Sequence, residues 1–255
     1  MKTKSAQVTI FVIIAIAIIA IIGIFFAFRS GVMPGLDFGK IKNPESFIDS
    51  CIEQDLKESI EKISLQGGFS NPSNLLIYNG TEVSYLCHTS DYERLCVNKH
   101  PMLKQEIERQ IHQDIESNLE DCFQELEESY ERDDYSEEPT KFEIKIKDKR
   151  VQLSIDKRIE IVREEGNKKI IEGFDINTPS PVLDFVKITN EIINQEVSCS
   201  CGLEACNADR VQIMKDNKDF RIDKFMTSRD EEIYHLEHIP TKKEFNFAIR
   251  NCIKP

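Results

Sequence analysis

From Val8 to Phe28 the chain runs 21 residues without a charge, mostly Ile, Val, Ala and Phe. At about 1.5 Å per residue, a helix of that length crosses the roughly 30 Å hydrocarbon core of a bilayer. A different rhythm begins at "NPESFIDSCIEQDLKESIEKISLQGG", where Phe47, Ile48, Cys51, Ile52, Leu56, Ile60 and Ile63 recur at three- and four-residue steps and mark one face of a helix. Asn43 stands as its N-cap, Pro44 in its first turn, and Gly67 and Gly68 stop it. "NLLIYNGTEVSYLC" is two short apolar runs around Asn79-Gly80, the strongest short-range hairpin signal.

A second amphipathic helix is predicted from about Met102 to Tyr130, with Leu103, Ile107, Ile111, Ile115, Leu119, Phe123 and Leu126 inward and acids on its other faces. From Lys141 to Phe174 the period changes to two, in "KFEIKIKD", "VQLSID" and "RIEIVREEGNKKIIEGF", which predicts three or four antiparallel strands with one wet face. Pro181 opens a third helix, "PVLDFVKITNEIINQEV", with Leu183, Val186, Ile188 and Ile192 or Ile193 inward. "RVQIMKDNKDFRIDKFM" and "EEIYHLEHI" read as strand-turn-strand, and "FNFAIRNC" as a last strand.

These rhythms divide the chain into a short leader at 1–6, a transmembrane helix at 7–29, a linker at 30–42 and an extracytoplasmic α+β domain at 43–255, its antiparallel strands packed with helices on one face of a sheet. A cleavable secretory signal has a shorter apolar core and a small-residue cleavage site, whereas here bulky Phe25, Phe26 and Phe28 lead straight to Arg29. Lys2 and Lys4 precede the span and only Arg29 follows before Asp37, so the N-terminus is expected in the cytoplasm and the domain outside. The lipid bilayer is the first partner implied.

The formal charge of −12 argues against nucleic acid, which requires a basic stripe. Residues 104–138 hold 14 acidic and 3 basic residues, a net of −11, so the rest of the chain is close to neutral. These acids are expected to form a solvated helix face leading into a mobile loop at "YERDDYSEE". That loop lacks the Gly and alternating ligands of a calcium-binding loop.

All eight cysteines, Cys51, Cys87, Cys96, Cys122, Cys199, Cys201, Cys206 and Cys252, lie beyond the apolar run. An even count in that position predicts a disulfide framework in an oxidising exterior, although eight cysteines admit 105 pairings. A short loop favours Cys87 with Cys96, and the two amphipathic helices favour Cys51 with Cys122, leaving the "CSCGLEAC" cluster and Cys252 for the other two bonds. The same cluster, with His235 or His238, is the one candidate zinc set, but its Cys-x-Cys and Cys-x4-Cys spacing lacks a second ligand pair, and disulfides fit better. Asn79-Gly80-Thr81 is also a glycosylation acceptor by pattern.

His88, His100, His112, His235 and His238 stand in no recognised nucleophile setting, and no hydrolase, metalloprotease, P-loop or dinucleotide motif is found. Neither catalysis nor a cofactor is therefore expected.

Within "KSAQVTIF" the N-terminal segment resembles the class III signal of archaeal type IV pilins, which implies cleavage between Ala6 and Gln7 with Thr9 at the third mature position. Phe11 departs from that pattern, standing where pilins place the Glu used in filament assembly. Over most of its length, through "QVTIFV", "FIDSCIEQ", "LQGGF", "LEDCF" and "FNFAIRN", the chain also resembles a family of single-span proteins of small-genome archaea. That resemblance implies a surface location and no activity. Three readings stand: a tethered surface protein that contacts other envelope components, a pilin-like subunit processed before Gln7, and an extracytoplasmic enzyme or metal/redox protein using the Cys199–Cys206 cluster. Oligomeric state is left open.

Overall fold

Helix α1, Pro44–Leu65, forms where its apolar stripe predicts, and Ile48, Ile52, Leu56, Ile60 and Ile63 are buried while Phe47 and Cys51 pack partly buried beside them. In this computed structural model the described residues are 41, 43–130, 135–162, 167–198, 201, 212–227 and 231–253. The expected leader, membrane helix and linker, apart from Ile41, lie outside them, as do Ala6, Gln7 and Thr9. Among the described residues no helix is long and apolar enough to cross a membrane. Asn43 occupies the N-cap, but its side chain makes no capping hydrogen bond; the helix start rests on Pro44 instead. At the other end Gly67 and Gly68 have φ of +77° and +96°, and the Gly68 N–H returns to the Ile63 carbonyl at 2.8 Å. A Cβ on Gly68 would stand 2.9 Å from Ile107 Cγ1, so this helix end is closed against the next helix by the lack of a side chain.

Strands β1 (Leu75–Tyr78) and β2 (Thr81–His88) make the expected hairpin, with Tyr78 opposite Thr81 and positive φ at both Asn79 and Gly80, as a two-residue primed turn requires. β3 is the short Val97–Asn98 strand beside β2. Helix α2, Leu103–Glu128, buries all seven residues of its predicted stripe together with Cys122. β4 (Tyr135–Glu137) then falls inside the segment expected to be a mobile loop, of which residues 131–134 lie outside the described ones.

β5 (Lys141–Lys147), β6 (Arg150–Val162) and β7 (Lys168–Pro179) form an antiparallel meander. "VQLSID" and "RIEIV" are halves of one 13-residue strand, β6, which carries a β-bulge after Ile155. β7 runs along one edge of β6, while β4 and β5 lie end to end on its other edge. Outward positions are polar, as the period-two pattern predicts.

Helix α3, Val182–Glu196, buries Val186, Ile188, Ile192 and Ile193, but Leu183 is half-buried and Phe185 takes the inward place. Residues 212–216 are a helical turn where a strand was expected. β8 (Phe220–Met226), β9 (Glu231–His238) and β10 (Lys243–Arg250) complete the order.

The expected single antiparallel sheet is instead two sheets. One is β4, β5, β6 and β7; the other runs β1-β2-β10-β9-β8, with β3 against β2. β2 and β10 pair in parallel, which joins the first hairpin to the end of the chain. Tyr78 and Phe225, on opposite edge strands, stack with ring centroids 5.8 Å apart, so this sheet is strongly curled. Val83, Tyr85 and Ala248 form a small cluster on its concave face, and β2 and β10 are buried on both sides. The main core is continuous: α1 packs on β7 and β10, and Phe185 of α3 stacks on Phe245 and meets Phe220 edge-on while α3 also meets β5 and β6.

Candidate functional site

The acidic stretch divides along α2. In its first half each acid has work within the fold: Glu106 pairs with Arg109, Asp114 takes Lys62 at 2.7 Å, and Glu108 pairs with Lys104 at 3.0 Å. Glu108 also accepts the Ile146 N–H at 2.8 Å, which covers an open backbone donor of β5. The Arg109 hydrogen bond, more than any other influence, holds the Glu106 carboxyl below its ordinary range.

In the second half the same residue type opens onto a cavity of about 730 Å³ between the end of α2, β4 and the bulge of β6. Glu120, Glu127 and Glu128 are exposed along one wall, and the carboxylates of Glu120 and Glu127 make no hydrogen bond or ion pair among the described residues. Tyr130 and Tyr135 stack nearly parallel, centroids 5.8 Å apart, and supply an aromatic side. The Tyr130 hydroxyl donates to the Ile41 carbonyl and ties this wall to the first described residue.

Lys157 closes the base of the cavity. Its side chain is only 3% exposed, because the unbroken alternation of β6 puts it on the inward row with Ile155 and Ile159. Opposite the bulge, Gly173 has a φ of +88°, and a Cβ there would stand 2.8 Å from the Ile155 carbonyl oxygen. The Lys157 ammonium donates to Glu137 Oε1 at 2.7 Å and to Thr140 Oγ1 at 2.8 Å, and lies 4.4 Å from the Phe123 ring centroid. Tyr135 donates to the other Glu137 oxygen at 2.6 Å. Burial, then this contact, pushes the Tyr135 phenol well above its ordinary range.

Both Glu137 oxygens are thus engaged, and so are the faces of the Lys157 ammonium. This centre holds the β4–β5 corner; the free carboxylates around it face solvent. Carboxylates beside stacked phenols suit a cation, above all a Lys or Arg side chain. Among the described residues no group of three or more His, Cys, Asp or Glu side chains is placed to hold a metal.

The cysteines expected to pair do so. Cys51 is bonded to Cys122, Cα atoms 6.2 Å apart, which clamps α1 to α2; Cys87 is bonded to Cys96 across the β2–β3 connection, at 5.4 Å. Cys201 is bonded to Cys252, also at 5.4 Å, while Cys199 and Cys206 lie outside the described residues. Cys201 is therefore withdrawn from the candidate zinc set, and His235 and His238 have other neighbours, Asn246 at 2.7 Å and Thr241 at 2.6 Å. Asn79 is exposed at the hairpin tip.

His112 stacks on Phe142, His100 lies tilted against Phe69 and His88 meets Tyr85 edge-on, so these histidines are packed separately. The Lys157, Glu137 and Tyr135 centre was not foreseen. Its one trace in the sequence is that Lys157 falls on the apolar beat of "VQLSIDKRIEI". Comparisons with protein-family models, with curated proteins and with solved structures found no match to this chain.

Proposed function

We propose that this chain is a membrane-anchored extracytoplasmic protein of the archaeal cell surface, without catalysis of its own, whose disulfide-stapled domain contacts other envelope components. The observation that carries the reading is the set of three disulfides in one domain, the covalent habit of chains that fold in an oxidising exterior. The uncharged run from Val8 to Phe28 supports the anchor. The cavity walled by Glu120 and Glu127 supports a contact with basic groups of the partner, since among the described residues these carboxylates have no counter-charge. Steering by such a wall raises the encounter rate and weakens with salt.

The test is expression of the intact chain in an archaeal host, followed by fractionation, mass spectrometry of the N-terminal peptide and thiol labelling before and after reduction. The proposal expects the chain in the membrane pellet, protected from labelling until reduced. Recovery in the soluble cytoplasm with reactive thiols would overturn it. A second reading, a pilin-like subunit, is favoured by "KSAQVTIF" and predicts a mature terminus at Gln7 with the chain in sheared filaments.

A further inference from the structure

Asn79 and Gly80 are the exposed tip of the β1–β2 hairpin, and Thr81 begins β2 half-buried beside them. A Cβ on Gly80 would meet nothing within 4 Å, so the tip is open to an approaching molecule. A primed turn accounts for Asn79-Gly80 but requires no hydroxyl at the next position. Asn-x-Thr, with any residue but Pro between, is the pattern of an N-glycan acceptor. Here it stands where a large group can be attached without disturbing the core.

Beside the tip the curled sheet leaves a seam. β1 and β8 are its two edge strands, and among the described residues neither is paired on its outer side. The Tyr78–Phe225 stack draws the two edges together. Phe225 is nevertheless 43% exposed, and Ile77 and Met226, on the opposite faces of their strands, are 59% and 64% exposed. β1 reads Leu-Leu-Ile-Tyr and has none of the charges or prolines that protect an open edge. An uncharged edge beside uncovered apolar side chains invites pairing with another chain unless something bulky and polar covers it. The acceptor Asn79 lies one residue past the end of this strand.

We infer that Asn79 carries an N-linked glycan that covers the seam between β1 and β8. Attachment uses a lipid-phosphate-linked sugar as donor and a transferase on the outer side of the membrane, so this assignment rests on the extracytoplasmic location proposed above. In that step the Asn79 amide nitrogen attacks C1 of the donor sugar. The C1–N bond forms, the C1–O bond to the lipid phosphate breaks, the amide gives up one proton to a base of the transferase, and the lipid phosphate leaves. The product is a bulky, solubilising chain at the mouth of the seam.

Expression of the full chain in an archaeal host and mass spectrometry of the peptide containing Asn79 test it. A glycan mass on that peptide is expected, lost completely in Thr81→Ala and kept in Thr81→Ser, two changes that leave the Asn79-Gly80 turn in place. Peroxide oxidation of the same protein reads the cover. Met226 is expected to oxidise several-fold more slowly than Met102, which is almost as exposed, at 62%, but lies past β3 at the other end of β2. Thr81→Ala is expected to make the two rates similar. An Asn79 peptide without glycan overturns the inference; if that chain is still in the membrane pellet with blocked thiols, the surface reading stands and only the glycan falls. A glycan at Asn79 whose loss in Thr81→Ala leaves the ratio of Met226 to Met102 oxidation unchanged would overturn the cover.

Discussion

The two halves of α2 carry the same kind of residue and use it differently. Near the start, Glu106, Glu108 and Asp114 are matched by Arg109, Lys104, Lys62 and a backbone donor of β5. Towards the end, Glu120 and Glu127 face a cavity in which, among the described residues, the ammonium of Lys157 is the one basic group, and it is already committed to Glu137. Charge density alone does not separate structure from surface; what decides is whether the neighbouring elements bring a counter-charge. Acids matched within the fold contribute to it, and acids left unmatched are available to a partner.

The largest effect expected from this division comes from the clamp within the second half. Replacing Cys51 and Cys122 by Ala removes a bridge spanning a sequence separation of 71, and loop-closure entropy puts the loss near 4 kcal/mol in chemical denaturation. Opening the Cys87–Cys96 bridge, with a separation of 9, costs about 2.5 kcal/mol on the same reasoning. A loss for Cys51/Cys122 smaller than for Cys87/Cys96 would mean that α1 and α2 are held by packing alone.

Lys157→Met comes next. It keeps the volume but leaves the Glu137 carboxylate beside an apolar group, and the partial exposure of Glu137 brings the cost to about 2 kcal/mol, below that of a fully buried pair. The Glu108→Gln substitution, by contrast, retains an acceptor for the Ile146 N–H and is expected to stay within about 1 kcal/mol of the parent in the same melt.

The two ends should also fail at opposite extremes of pH. His100, beside the start of α2, has its pKa lowered chiefly by burial, and His88 is lowered by burial and by Arg250. A depressed folded-state pKa means stability that is present above about pH 6.5 and lost as the pH falls below it, since the unfolded chain takes up the proton first. Tyr135 is shifted upward, so its contribution is complete below about pH 10 and is lost above it. His100→Phe should flatten the acid limb of a stability–pH curve and Tyr135→Phe the alkaline one. A substitution that moved the other limb would contradict these assignments.

Much of the fold was legible because its signals are local. The stripes of α1 and α2, the Asn79-Gly80 turn and the alternation of β5 to β7 each lie within a few turns or a few residues of chain. The Cys51–Cys122 and Cys87–Cys96 bonds followed from those elements. The parallel pairing of β2 with β10 was not legible, since residues 85–88 and 248–250 meet across most of the chain and no local pattern marks a partner. Nor was the division into two sheets, because the alternation in β8 to β10 is as compatible with one sheet as with two.

For the candidate site, the acidic segment stood out in composition, but the matched and unmatched acids did not, because Lys62 and the Ile146 N–H that serve the first half come from other elements. The inward place of Lys157 follows the alternation of β6, but its partners Glu137 and Phe123 come from β4 and α2. Those are relations between elements and leave no spacing to read.

The central claim is that the end of α2, and not its start, is a binding face for basic groups. Titration of the full chain in detergent with a Lys/Arg-rich peptide at low salt tests it most directly, comparing Glu120→Gln/Glu127→Gln with Glu106→Gln/Asp114→Asn. Each double substitution removes two charges from the same helix. The account predicts that the first weakens binding about tenfold, as expected for two lost charge contacts at a surface, and that the second leaves it nearly unchanged. Equal loss from both pairs, or none from the first, would show that the peptide responds to net charge alone and that the cavity is not a site.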